Sequence, residues 1–285
     1  MIIKAHAKLN LAINVLDKQD DGFHKLDMVM VPLDLHDSIE ITKVPKSFDT
    51  LVTCDDFDLV NGEYNLCSIA VNKMRAVYKF EDKFRIHIHK RIPMSAGLGG
   101  GSSNAAAVVR GIILLLKLRT NEADIIDVCR SIGSDVPFFF KEMPCRVQGT
   151  GEVLTPINVK RPFYALIVKP QTGLSTKEVF NRFDDSKSKA KSLAPIIQAL
   201  ENGDISMLAQ HMFNDLEPAA ISLCPEISLI KRTLLEEGLE AVMMTGSGSA
   251  VFALSEDFDK LEKAAKHQLK GHKVLLTKLK ENTSL

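Results

Sequence analysis

Between Pro93 and Asn104 the chain reads Pro-Met-Ser-Ala-Gly-Leu-Gly-Gly-Gly-Ser-Ser-Asn, with glycine at 97, 99, 100 and 101. Glycine has no Cβ, so backbone N–H groups in such a stretch can come close to an anion. Just upstream, Phe84, Ile86 and Ile88 alternate with Arg85, His87 and His89, the period of a half-buried strand. Just downstream, Ala105 to Leu116 is a small-residue and aliphatic run that reads as a buried helix. The first turn of a helix adds unpaired N–H groups and the positive end of the dipole. That combination is a seat for phosphate, so the chain is read as handling a nucleotide. It is not a Walker A loop, which needs Lys and then Ser or Thr where Ser102, Ser103 and Asn104 follow Gly101. Nor is it a dinucleotide fingerprint, which needs glycine where Ser102 stands.

Four other segments carry chemistry-bearing residues. In Ala7-Lys8-Leu9-Asn10-Leu11, Lys8 and Asn10 share one face of a strand and Leu9 and Leu11 the other; alone, such a lysine reads as solvent-facing. In Gly133-Ser134-Asp135-Val136-Pro137, the aspartate reads by default as the cap of a turn or short helix. Gly149-Thr150-Gly151-Glu152 reads as a hairpin turn. Thr245-Gly246-Ser247-Gly248-Ser249 either exposes N–H groups to an anion or merely joins two strands. A kinase needs a triphosphate cradle, a magnesium ion, a carboxylate near the acceptor hydroxyl and a cation against developing charge. The glycine loop, Asp135 and Lys8 can fill three of those roles, and Ser102 or Ser103 can set a hydroxyl beside the metal. Which side chain touches the metal stays open.

The elements that must position these residues follow from periodicity. Residues 2–16 and 28–44 read as strands, 65–79 and 122–131 as helices, and 153–156 closes the first half. A buried strand over 163–168 opens the second half. Helices over 192–202, 204–215 and 225–237, strands over 241–244 and 250–254, a helix over 257–267 and a strand over 273–277 follow. The expected fold is an α/β first half, 1–158, and a two-layer α+β second half, 159–285. At 285 residues there is material for two cores. Lys plus Arg and Asp plus Glu both number 36, so no net field draws nucleic acid or an anionic membrane. Five dispersed cysteines without CxxC spacing argue for a reducing compartment and against a zinc or disulfide framework. No signal peptide or spanning run is present, which gives a cytoplasmic expectation.

Taken together, Ala7-Lys8-Leu9-Asn10, Pro93 to Asn104 and Thr245 to Ser249 resemble the three signature regions of the GHMP kinase superfamily. Asp21-Gly22-Phe23-His24, Gly133 to Pro137 and Gly149 to Pro156 narrow the likeness to its members that phosphorylate a cytidyl sugar-alcohol diphosphate. Those members serve the non-mevalonate route to isoprenoid precursors. The resemblance runs from about Lys4 to Leu254. It implies an N-terminal domain like ribosomal protein S5 domain 2, a ferredoxin-like C-terminal domain, and ATP with Mg2+. It also implies that Asp135 is the general base and that Lys8 keeps Asp135 ionised and lowers the proton affinity of the acceptor hydroxyl. The loop Gly97, Leu98, Gly99, Gly100, Gly101, Ser102 and Ser103 would wrap the ATP phosphates, with Asn65, Lys90, Pro93 and Asn104 bordering the nucleotide. His24 matches the residue that hydrogen-bonds cytosine, Phe23 and Phe180 the stacking rings, and Asn10 and Thr176 the acceptor cleft. Phe23 stands where the family commonly has Tyr, which keeps the stacking face, and Ser134 where it has Ala.

Two features stay outside this pattern. His87 and His89 share a strand face but have no third ligand nearby in sequence, so they read as a solvated face. Asp55-Asp56-Phe57-Asp58 lacks a calcium-loop pattern and reads as surface loop.

Overall fold

The computed structural model describes residues 1–19, 22, 24–55, 65–183, 189–266, 269 and 271–281. The chain divides into two compact units. One comprises Met1–Ala7, Leu35–Ile92 and Gly99–Glu142; the other comprises Lys8–Asp34, Pro93–Leu98 and Met143–Leu285. Strands β1 (Ile2–Lys18) and β2 (His24–Val44) are long enough to contribute residues to both.

In the first unit, strand β3 (Leu51–Cys54) runs parallel to β4 (Lys83–His89), which pairs antiparallel with Ser38–Val44 of β2. Phe84, Ile86 and Ile88 are buried while Arg85 and His89 are exposed, as period-two alternation predicts. Helices α1 (Leu66–Tyr78), α2 (Gly100–Leu116), α3 (Glu122–Ile132) and α4 (Val136–Lys141) complete the unit. Helix α2 buries Ser103 through Val109 without a break, the pattern of a helix enclosed on most sides. A Cβ on its Gly111 would lie 3.0 Å from both Ile3 and Ile41 side chains, so glycine lets the helix sit directly on the strands. The helix begins at Gly100, earlier than the aliphatic run at Ala105 suggests. Glycine is a poor helix former, but a Cβ at Gly100 would lie 3.2 Å from Ile92 Cγ2, and packing decides there.

In the second unit, β5 (Cys145–Gly149) pairs antiparallel with Leu26–Met30 of β2 and forms a hairpin with β6 (Val153–Pro156). The Gly149–Glu152 turn reading is thereby met. A separate four-stranded sheet is built from β7 (Tyr164–Lys169), β9 (Ala241–Met244), β10 (Val251–Ser255) and β11 (Lys273–Lys278). Before β9 the chain passes through α5 (Thr176–Phe183), α6 (Ala194–Asn202), α7 (Ile205–His211), β8 (Phe213–Asn214), α8 (Glu217–Leu223) and α9 (Glu226–Glu236). Helix α10 (Phe258–Lys266) joins β10 to β11. The order β11-β7-β10-β9, antiparallel throughout, with helices after the first and third strands, is the ferredoxin-like arrangement expected from the resemblance.

The helix expected over 204–215 ends instead at His211, and Phe213–Asn214 pair in parallel with Ala12–Ile13 of β1. Asp215 follows, its Oδ2 accepting the Val15 N–H at 3.1 Å. These tertiary partners override a helical pattern that would have continued. No helix among the described residues is long and apolar enough to cross a membrane.

Candidate phosphoryl-transfer site

Strand β1 is buried on both faces from Ala5 to Val15, so Lys8 is not the solvent-facing lysine that alternation suggests. It is 3% exposed, and its ammonium donates to Asn10 Oδ1 and, at 2.6 Å, to the Gly97 carbonyl. Lys8 and Asn10 share a face, as the strand period requires. The Lys8 N–H also donates to Leu98 O at 3.2 Å, tying the strand to the start of the glycine loop.

The Thr245–Ser249 turn joins β9 to β10 and packs on the same loop. Thr245 Oγ1 accepts the Asn10 N–H at 3.1 Å and donates to Gly97 O at 3.4 Å. Gly97 has φ of +73°, and a Cβ there would stand 2.1 Å from Thr245 O. A Cβ on Gly246 would lie 2.7 Å from Gly97 O and 3.0 Å from Lys8 Nζ. Both glycines are thus required by close backbone approach. Asn214 Nδ2 donates to Met244 O at 3.0 Å and Gly246 O at 2.8 Å, and Ser249 Oγ to Thr172 O at 2.5 Å. Thr176 Oγ1 and Ser247 Oγ lie 3.0 Å apart. Asn214 and Ser249 hold the turn from behind. Ser249 lies inside a motif, whereas Asn214 carries no signal beyond its burial.

At the start of β2, the His24 imidazole lies on the Phe180 ring, with centroids 5.4 Å apart and planes 30° apart. It meets buried Phe183 edge-on at 6.2 Å. The structure therefore joins two of the residues assigned to a nucleobase and adds Phe183 behind them. Phe23 lies outside the described residues.

In the first unit, Asn65 caps α1, its Oδ1 accepting the Cys67 N–H at 2.9 Å. Lys90 Nζ donates to Asp37 Oδ2 at 2.6 Å, a pair 6% and 0% exposed. Asp37 Oδ1 accepts the N–H groups of Arg91 and Ile92 at 2.7 and 2.8 Å, fixing the exit of β4 toward Pro93. A Cβ on Gly100 would come within 2.9 Å of Lys90 Nζ, so this ammonium borders the first turn of α2. Sequence reasoning missed Asp37, whose strand position resembles any solvated acid. Burial, followed by the charge of Asp37, pushes the Cys67 thiol up to about 12. Asp135 stands at the N-cap of α4, half-buried, and makes no side-chain capping bond. Asp135 thus takes the capping position that the sequence suggests, through its backbone and not through its carboxylate.

The first turn of α2 suits a phosphate and its metal. Gly99 at the N-cap, φ +73°, has no side chain to satisfy the turn. Ser103 Oγ and Asn104 Oδ1 are buried and have no hydrogen-bond partner among the described residues. A buried hydroxyl and a buried carbonyl without partners are costly unless something docks there. A phosphate oxygen would accept from the one, and a magnesium-bound water would donate to the other.

Comparison with known proteins gives the family of this chain. The model of the GHMP kinases N terminal domain matches residues 65–142, and that of the GHMP kinases C terminal domain matches 196–267. Fold and motifs together define a GHMP kinase. A protein of Caldanaerobacter subterraneus subsp. tengcongensis named 4-diphosphocytidyl-2-C-methyl-D-erythritol kinase is 38% identical over 270 residues, covering 94% of this chain and 92% of its own. One of the same name from Acetivibrio thermocellus is 38% identical over 256 residues, 90% of each chain. A crystal structure of 4-(cytidine 5'-diphospho)-2C-methyl-D-erythritol kinase superposes with a TM-score of 0.81 at 29% identity, covering 98% of this chain and 99% of that one. Homoserine kinase from Cytophaga hutchinsonii shares the fold, with a TM-score of 0.73 at 20% identity over 98% and 94% of the two chains. This chain belongs to the 4-diphosphocytidyl-2-C-methyl-D-erythritol kinase family within the GHMP kinases.

Proposed function

We propose that this chain transfers the γ-phosphoryl group of ATP to the 2-hydroxyl of 4-diphosphocytidyl-2-C-methyl-D-erythritol, in the non-mevalonate route to isoprenoid precursors. One observation supports it most directly: the Lys8 ammonium and the Thr245 hydroxyl both donate to the Gly97 carbonyl, so three signature motifs meet within one unit. The His24 ring against Phe180 supports a nucleobase-bearing acceptor, because a simple alcohol has no use for it.

ATP bound with Mg2+ supplies the phosphoryl group and shields its charge. The N–H groups of Gly97 to Ser103 hold the phosphates, and Asn65, Lys90, Pro93 and Asn104 border the nucleotide. Asp135 takes the proton of the acceptor hydroxyl, while the Lys8 charge keeps Asp135 ionised and eases that proton's departure. His24 hydrogen-bonds the cytosine, Phe23 and Phe180 stack on it, and Asn10 and Thr176 line the acceptor cleft. Transfer is direct and in line, without a phosphoenzyme. The domains of this reading are 1–158 and 159–285, and the matches at 65–142 and 196–267 fall on either side of that boundary. The reading places the protein in the cytoplasm, acting on small molecules rather than nucleic acid or membrane.

The test is ADP release with the diphosphocytidyl methylerythritol substrate beside homoserine and mevalonate. Release with the cytidyl substrate alone is expected. Release with a control alone would keep the kinase and discard the cytosine site. No release, with salt-dependent RNA binding, would replace the kinase by a binding module.

A further inference from the structure

His87 and His89 lie on an exposed strand face, as the sequence suggests, but the fold gives them a third neighbour. On the exposed face of β4 their rings meet edge to face, with centroids 4.6 Å apart. Beside them stands Asp55, just past β3, which sequence separates from them by more than thirty positions. One ligand atom from each of Asp55, His87 and His89 lies within 4.8 Å of the other two.

The acid and the imidazoles converge without closing on one another. His89 Nδ1 is 3.7 Å from Asp55 Oδ2, and its Nε2 is 3.9 Å from Glu40 Oε2, both too long for hydrogen bonds. Two ligands at tetrahedral angles on one ion about 2.1 Å away stand about 3.4 Å apart, close to the first of these gaps. Neighbouring groups already orient the ligands. Asp55 Oδ1 accepts the Lys90 N–H at 2.8 Å, leaving Oδ2 for another partner. The Thr53 hydroxyl, 3.4 Å from Ile86 O as donor, lies 2.8 Å from His87 Nδ1. If it donates to the carbonyl it accepts from Nδ1–H, the tautomer that leaves His87 Nε2 unprotonated and able to ligate. Glu40 stands opposite His87 in the β2–β4 ladder and adds a second acid to the face.

We propose that Asp55, His87 and His89 form a binding site for a divalent transition metal ion, separate from the phosphoryl-transfer residues. Two imidazoles and one carboxylate suit zinc, cobalt or nickel rather than magnesium or calcium, which prefer all-oxygen sets. Arg85 shares the face two residues earlier, so charge alone would not gather a hard cation there. The ion would clamp the end of β3 to the end of β4 at the residue before Lys90.

The experiment is calorimetric titration of the metal-free full-length protein with Zn2+, in excess Mg2+. One Zn2+ per chain is expected, with affinity weakened about tenfold or more in each of His87→Ala, His89→Ala and Asp55→Asn, by analogy with lost ligand support elsewhere. All three positions lie outside the core, and circular dichroism would verify that the variants fold. Cys54→Ser serves as the control for thiol binding. The proposal is overturned by no saturable Zn2+ binding, by unchanged binding in both histidine variants, or by loss in Cys54→Ser alone.

Discussion

Two lysines with buried side chains, Lys8 in the first signature motif and Lys90 just before the second, are held differently. Lys90 donates to a carboxylate, Asp37, that is fully buried and already accepts two backbone N–H groups. Lys8 donates to two uncharged oxygens, the Gly97 carbonyl and Asn10 Oδ1. A charge matched by a buried acid mainly holds structure, whereas Lys8 is tied directly to a backbone carbonyl of the glycine loop. The contrast fits the proposed division, in which Lys90 serves chiefly the geometry of the loop and Lys8 the chemistry.

The largest expected effect is on folding. Lys90→Met leaves the Asp37 carboxylate buried without its cation and should cost about 3–5 kcal/mol, read as a lower denaturant midpoint. A midpoint near the parent's would erase the contrast. Lys8→Met should lower turnover about 10²- to 10³-fold at saturating substrates. Its stability should fall less than that of Lys90→Met, by about 1 kcal/mol for each neutral hydrogen bond given up at Gly97 O and Asn10 Oδ1. Should Lys8→Met unfold instead, both lysines are structural. Asp135→Asn should match the Lys8→Met loss in turnover while ATP affinity, measured by equilibrium binding, stays near the parent value.

Gly97→Ala sharpens the comparison by displacing the carbonyl that Lys8 holds. The left-handed backbone alone should cost about 1–3 kcal/mol, and the contact with Thr245 O adds to it. Activity should fall further than in a glycine whose Cβ would meet no described atom within 4 Å, such as Gly22. The smallest effect expected is His24→Ala, which should weaken the cytidyl substrate about tenfold, one lost hydrogen bond's worth, and ATP hardly at all. Equal weakening of both ligands would indicate a folding defect around Phe180 and Phe183.

Much of this could be read from the chain because its cause is local. Alternation around Phe84–Ile88 fixes a one-sided strand, and the glycines at 97 and 99–101 mark backbone that must turn tightly or be approached closely. The order of strands and helices after Phe163 carries the ferredoxin-like pattern. Other features could not be read, because their causes lie far along the sequence. Lys8 is buried because β1 is covered on both faces, which alternation cannot show. The 204–215 segment breaks at Met212 because Asn214 and Asp215 find partners at β9 and β1. Asp55 joins His87 and His89 only through the parallel pairing of β3 with β4. Sequence by itself determined the periodicities, the glycine-dependent turns and the motif residues, since these depend on neighbours within a few positions. Tertiary structure decided which polar groups are buried, what each one bonds, and which distant acid meets a pair of histidines, since desolvation and contact depend on the packed chain.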